Sequence, residues 1–445
     1  MGKHPRQTGT GRRLAVVVTG VTVLALTLGA GFGGVATATD SGSPTTEEPA
    51  GGWPTVDQPG VSDTDIRVGG VTSTTNATQG RYDTAYDGVK AYFAMVNKAG
   101  GVYGRTLKLV AERDDVMLRN KQEVQALIDQ DNVFAVLPVA NIAGFSGAEV
   151  LQAQGIPAFG INYNEEWSNK DAMFGDRGSL CFDCPGVALP WVAKKLGKKN
   201  VAVLAYAVPQ SKGCADGIAN SFEEYKGAAK VVFTDTALTF GNVDFSVQVD
   251  KMKQAGVDFV TSCVDQNAVF NLAKEMRKQR LDATQYLPDG YDPEFMKQNG
   301  KLFAGSIVST LFAPVETKQK PAGLKDYIKW IKKTGGPITS NSITGWLNAD
   351  QFVTGLGLAG PDFTRRKVID GINNGPDFTA NGLIPPTDWS TAHTESDPQI
   401  GCPGAYMQVA ANGAFKPIFV KGGKIFPCFD NDVSSVPKNP LRYEG

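Results

Sequence analysis

The sequence predicts an α/β protein made of two lobes, each a doubly wound parallel sheet. Three observations carry the prediction. Short apolar strands alternate with helical segments almost throughout the chain. The strands fall into two sets of four. At 445 residues the chain is long for one hydrophobic core and comfortable for two.

The first unit shows the logic. "DIRVGGVTS" is an apolar strand running into a polar Gly/Ser/Thr loop. "YDTAYDGVKAYFAMVN" places Ala85, Val89, Phe93 and Val96 on one stripe at spacings of three and four, the pattern of an amphipathic helix. "KAGGVYG" ends it, because Gly accepts the left-handed conformation a helix stop requires. "TLKLVAE" is then a second strand, and strand–helix–strand with a right-handed crossover makes the pair parallel. "VFAVLP" and "PAFG" complete the first set. "VAVLAY", "KVVFTD", "VDFVTS" and "GSIVS" form the second. Helices between them include "NKQEVQALIDQ", "LPWVAKKLG", "CADGIANSFEEY", "FSVQVDKMKQAG" and "NAVFNLAKEMRKQ". A helical stretch follows from about Ala322 to Asn374, and "AYMQVA" and "KPIFV" close the chain as late strands.

The amino terminus reads as an export signal. "MGKHPRQTGTGRR" is basic, the run after it is apolar, and Ala36-Thr37-Ala38 fits a cleavage site. An uncleaved anchor is the alternative, since the apolar run is long. Residues 1–38 are therefore a signal peptide and 39–63 a Pro/Gly/Ser/Thr-rich tether, expected to be disordered. Net charge is -1 with both signs interspersed, which excludes the basic face of a nucleic-acid binder. Export makes six cysteines readable as disulfides. Cys402 and Cys428 flank the last strands, Cys214 and Cys263 could meet at one sheet edge, and Cys181 and Cys184 suit a local bridge. The pairing stays open.

Motifs of catalysis are weak. "GLGLAG" (Gly355 to Gly360) has the spacing of a dinucleotide fingerprint but lies between helices, so it reads as a small-residue helix end. "GFSGA" (Gly144 to Ala148) lacks the last glycine of a nucleophile elbow. Only His4 and His393 exist, so a histidine-based triad would need His393, and a multi-histidine metal site is impossible. Asp114-Asp115 and Glu165-Glu166 read as solvated carboxylates, and Asn76-Ala77-Thr78 is a glycosylation sequon in form only. No cofactor is expected. What remains is a set of polar and aromatic loops after the strands: "TSTTNATQGRYD", "VANIAGFSG", "INYNEEW", "AVPQSKGC", "CVDQNAV" and "PDGYDPE". Parallel α/β sheets bind ligands there, and two lobes can close on a small polar molecule.

On these segments the chain resembles the leucine/isoleucine/valine-binding protein family, the type I periplasmic substrate-binding proteins of ABC importers. The stretch from "IRVGGV" to "AERDD" is similar to the family's first βαβ unit, and "VDFVTSCVDQNAVFNLAKEMRKQ" and "YLPDGYDPEFM" to its second lobe; the likeness runs from about Asp65 to Val420. It implies two lobes joined by three hinge crossovers. Lobe one would hold 64–186 and 306–395, lobe two 187–305 and 396–432, with 433–445 a tail. The resemblance places Asn141 and Tyr163 or Asn164 where the family holds the ligand carboxylate, and Tyr82 where an aromatic flanks the ligand. In lobe two it puts Cys214 in place of one tyrosine, with Ser211 and Lys212 beside it. Asp265 and Gln266 stand near the place of another, and Asp289 matches the acid that pairs with the ligand amine. Tyr291 is a further ligand-contact candidate; Tyr291 and Trp346 could equally be core aromatics. These departures make branched-chain amino acids themselves doubtful ligands. The implied protein is an exported monomer that delivers a small amino acid, amide or carboxylate to a membrane permease. A sensor module of the same fold and a secreted hydrolase are the rivals.

Overall fold

The computed structural model describes residues 48–78, 80–176, 181, 183–227, 229–288, 290–394 and 400–445. The signal segment, residues 39–47 of the tether and Asp289 lie outside the described residues. The rest of the tether is not disordered as expected: Val56 is buried in the core, Trp53 packs on Tyr103 and Arg105 Nη2 donates to the Pro54 carbonyl at 2.8 Å.

The first lobe is built on a five-stranded parallel sheet in the order β2-β1-β3-β4-β5. Its strands are β1 (Asp65–Thr72), β2 (Thr106–Asp114), β3 (Ala135–Ala140), β4 (Ala158–Gly160) and β5 (Met173–Gly175). Helices α1 (Thr84–Lys98), α2 (Asn120–Asp129) and α3 (Ala148–Ala153) connect them. Ala85, Val89, Phe93 and Val96 are all buried on the inner face of α1, as their spacing requires.

The second lobe holds a seven-stranded sheet, β13-β12-β10-β9-β8-β6-β7. Five strands are parallel: β6 (Asn200–Tyr206), β7 (Lys230–Leu238), β8 (Phe259–Cys263), β9 (Thr284–Pro288) and β10 (Ile307–Thr310). Helices α4 (Ala188–Lys195), α5 (Pro209–Glu224), α6 (Ser246–Gln254), α7 (Gln266–Lys278) and α8 (Pro293–Phe303) lie in the same stretch of chain. Helices α9 (Ala322–Thr334), α10 (Ser340–Ala359) and α11 (Arg365–Asn373) then return to the first lobe, where α9 and α10 pack on α1.

The late strands β12 (Ala405–Val409) and β13 (Phe415–Ile418) add to the second sheet antiparallel to β10 and to each other. A small antiparallel sheet of β11 (Ile400–Gly401), β14 (Phe426–Asp430) and β15 (Arg442–Glu444) completes the chain. The chain thus passes between the two large sheets three times, after β5, after β10 and before β12.

Two boundaries differ from expectation. The return to lobe one does not begin at residue 306: β10 pairs with β9 and β12, so the crossing follows Thr310. The segment read as a tail carries β15, which pairs with β14. Strand β10 itself is legible as "GSIVS" of the second set and only its expected boundary falls too early, whereas the three residues of β15 are too few to give a periodic signal.

Helices α1 and α10 approach very closely. A Cβ on Gly88 would collide with the Ser342 carbonyl oxygen, and one on Gly345 with the Ala85 carbonyl oxygen. "GLGLAG" is the end of α10, capped at Gly360. Three disulfides join Cys181 to Cys184, Cys214 to Cys263 and Cys402 to Cys428. Among the described residues no helix is long and apolar enough to cross a membrane.

Candidate functional site

Each large sheet reverses its winding between its first and third strands, β1 and β3 in one lobe, β6 and β8 in the other. The crevice outside the carboxyl ends at such a reversal is where open α/β sheets bind ligands. The loops that leave those ends meet across the two lobes. Thr78 and Arg81, between β1 and α1, face Gln266, Asn267 and Phe270 of α7 and Asp292, Glu294, Phe295 and Gln298 at the start of α8. Together they line a cleft of about 380 Å³. A larger hollow, about 490 Å³, lies on Lys318, Gln319, Lys320, Pro321, Lys325 and Gly445. It sits away from the carboxyl-end loops and is bordered by few residues, so the smaller cleft is the candidate.

In the first lobe two of the expected residues meet, and Tyr82, Asn141, Tyr163 and Asn164 are not among the residues lining the cleft. The Tyr82 and Tyr163 rings meet edge to face at 6.4 Å, both against Ala85, Ala140 and Ile161. Asn141 follows β3 and is buried; its Nδ2 donates to Asp115 Oδ2 at 2.5 Å. Asp115 also accepts from the Met117 amide at 2.9 Å, which fixes the turn after β2. Asn164 is 4 % exposed, and neither its Oδ1 nor its Nδ2 has a partner.

The second lobe departs from expectation. Ser211 does not face the cleft as a free hydroxyl. Its Oγ accepts from the Tyr206 amide at 2.8 Å and donates to the Cys263 carbonyl at 2.5 Å, pinning α5 to the ends of β6 and β8 beside the Cys214–Cys263 bridge. Gln266 does line the cleft, as the first residue of α7. Asp265 caps that helix, accepting from the amides of Asn267 and Ala268, and takes a short hydrogen bond from the Tyr206 hydroxyl. Burial and that carboxylate both push the Tyr206 hydroxyl above its ordinary range, so it stays a donor.

Tyr291 is core rather than wall: it is buried between Phe312 and Phe415. Its hydroxyl donates to Glu316 Oε2 at 2.9 Å and accepts from the Val315 amide at 3.1 Å. Trp346 is likewise buried, against Tyr92 and Tyr327. Of the cleft residues, Arg81, Asn267, Asp292 and Glu294 stand in the loops singled out from sequence. Phe270 and Phe295 lie within their helices, where an aromatic at helical spacing cannot be told from a core residue. His393 packs on Phe174 and Trp389, with Nε2 2.8 Å from Asn373 Oδ1.

Two winding reversals facing one cleft define a two-lobed binding protein. The comparisons agree: residues 65–414 match the periplasmic binding protein family, and the chain belongs to it. It is 23% identical over 334 residues to a Leu/Ile/Val-binding protein homolog of Brucella melitensis, covering 72% of this chain and 86% of the relative. Among solved structures it is similar to a fatty acid ABC transporter substrate-binding protein from Thermomonospora curvata. That match has a TM-score of 0.68 and 19% identity, and covers 86% of this chain and 97% of the other. It is also similar to a branched chain amino acid ABC transporter protein from Thermus thermophilus with bound valine. There the TM-score is 0.64 at 17% identity, covering 81% of this chain and 97% of the other.

Proposed function

We propose that this chain is the extracytoplasmic solute-binding protein of an ABC importer. It captures a small polar molecule between its lobes and, once closed, offers a surface to a membrane permease. The observation that carries the reading is the cleft lined from both lobes by carboxyl-end loops. The three passages between the sheets serve as hinges, with lobe one comprising the first sheet and α9–α11 and lobe two the rest. The protein acts as an exported monomer and performs no chemistry. Its only mature histidine is half-buried in the first lobe against Phe174 and Trp389, with Nε2 on Asn373 Oδ1.

Native mass spectrometry of gently purified protein, against a denatured control, tests the reading. A small mass retained only by the folded protein is expected. An empty protein that also shows no thermal shift across amino acids, amides, small acids and aromatics would overturn it.

A further inference from the structure

A net charge of -1 hides one strongly basic ridge. Helix α9 buries Leu324, Tyr327, Trp330 and Ile331, and on its opposite face it exposes Lys325, Lys329, Lys332 and Lys333. At 3.6 residues per turn those four stems fall within an arc of roughly 100°. The Lys329 and Lys333 ammoniums lie over the Trp330 ring, 6.0 and 4.3 Å from its centroid. Ahead of the helix the ridge runs on into the hollow of about 490 Å³ bordered by Lys318, Lys320 and Lys325, with Gln319, Pro321 and Gly445.

The fold supplies little to neutralise this ridge. Among the described residues, the lysines in ion pairs are Lys90, Lys108, Lys170, Lys278, Lys367 and Lys424, none of them on α9 or the loop before it. Residues 316–333 hold six lysines and two acids. Of the acids, Glu316 takes the Tyr291 hydroxyl, and Asp326 lies close enough to the buried Asp350 to help raise its pKa. Desolvation and the neighbouring Lys98 ammonium, at the end of α1, lower the Lys333 pKa. Like charges gathered this way repel, and an anionic partner would relieve the repulsion.

The form of the ridge selects the partner. A row of charges along a convex helix matches an extended anionic surface rather than a small ion in a cage. Every cation in the segment is a lysine, a point charge on a flexible stem; arginine is the residue whose fork clamps a single phosphate. For an extracytoplasmic protein that serves a permease, the extended anionic surface at hand is the bilayer, which attracts each lysine held near it.

We infer that α9 and the loop before it dock the first lobe on the phosphates of an anionic phospholipid bilayer. The inference goes beyond the binding-protein reading and takes from it only the extracytoplasmic setting. Because α9 packs on α1 in the first lobe, attachment there leaves the second lobe free to close.

The test is cosedimentation of the secreted protein with vesicles of phosphatidylcholine alone and with vesicles containing about one-third phosphatidylglycerol. Binding to the anionic vesicles is expected to be at least about tenfold tighter, and to fall by a similar factor between about 0.05 and 0.3 M salt. Lys325→Gln, Lys329→Gln, Lys332→Gln and Lys333→Gln together should weaken it about thirtyfold or more at an unchanged melting temperature. Lys226, Lys230, Lys251 and Lys301 are exposed in the second lobe. Changing those four to Gln alters the net charge equally and should cost no more than about threefold. Should the first variant melt early, Lys325→Gln with Lys329→Gln repeats the comparison away from the helix end. Equal binding to the two vesicles, binding to neither, or equal losses from the two sets of substitutions would overturn the inference. So would retention of the protein by inorganic polyphosphate under conditions where anionic vesicles leave it in solution, since the partner would then be a phosphate polymer. None of these outcomes bears on a copurifying ligand, so the binding-protein reading stands or falls separately.

Discussion

Asp350 is a carboxyl buried within α10, with the Tyr92 hydroxyl donating to its Oδ1 at 2.8 Å. Burial pushes its pKa up to about 6 from 3.8; the Tyr92 hydrogen bond opposes the shift and Asp326 adds to it. Between those values the folded chain holds a proton that the unfolded chain has released. Stability from this group is therefore complete below pH 3.8 and lost as pH rises through about 6. The loss is on the order of 3 kcal/mol at one pKa unit per 1.36 kcal/mol. His393 runs the other way: burial lowers its pKa, so acid destabilises through it. The comparison that isolates Asp350 is wild type against Asp350→Asn by urea denaturation at pH 4 and pH 7.5. Wild type should lose about 2–3 kcal/mol relative to the variant between the two. A constant difference across that range would show that Asp350 does not titrate in it.

At the scale of elements, the contact of α1 with α10 depends on two glycines that a propensity scale would count as faults. Alanine is the better helix former by roughly 1 kcal/mol. Yet a Cβ at Gly88 or Gly345 meets backbone of the facing helix, which cannot move aside as a side chain can. Overpacking of that kind costs about 1–3 kcal/mol. Gly88→Ala should therefore lower the unfolding free energy by up to about 2 kcal/mol net, read by chemical denaturation; a stabilised variant would refute the close approach. The alternation of strands and helices was legible because burial imposes it: the stripe of Ala85, Val89, Phe93 and Val96 can only be a packed helix face. Gly88 and Gly345 were silent, since their meaning lies in a partner about 250 positions away along the chain. The site divided the same way. Tyr82, Tyr163 and Asn164 were legible as residues of strand-end loops, though none lines the cleft, whereas the contacts of Ser211 and Tyr291 are made with Cys263 and Glu316, which sequence spacing cannot bring together.

For the whole molecule, the question is whether two lobes that close on a ligand also fold as two. The apolar core says otherwise. Its largest cluster runs from the first lobe, through Leu287, Tyr291 and Phe312, to Met407 and Phe415 of the second sheet, with two separate clusters on either face of β6 and β8. Tyr291 is the joint: from the loop after β9 it meets Phe312 edge to face and Phe415 at a tilt, holds Glu316 after the second crossing, and accepts the Ser340 amide on its carbonyl at the start of α10. Burial raises the Glu316 pKa, so the Tyr291 hydroxyl bonds a carboxyl for which solvent offers little competition. A hinge built on such a joint can bend while the lobes remain one cooperative unit. Scanning calorimetry of the oxidised protein should then show one transition, with calorimetric and van't Hoff enthalpies in agreement. Tyr291→Ala removes a buried aromatic, at about 3–5 kcal/mol, and the restraint on Glu316 with it. That variant should unfold in two steps, or in one broad step whose enthalpy ratio exceeds one. Two resolved transitions in the wild type would mean that the apolar bridge is too weak to couple the lobes, and closure would then be the meeting of two independently stable bodies.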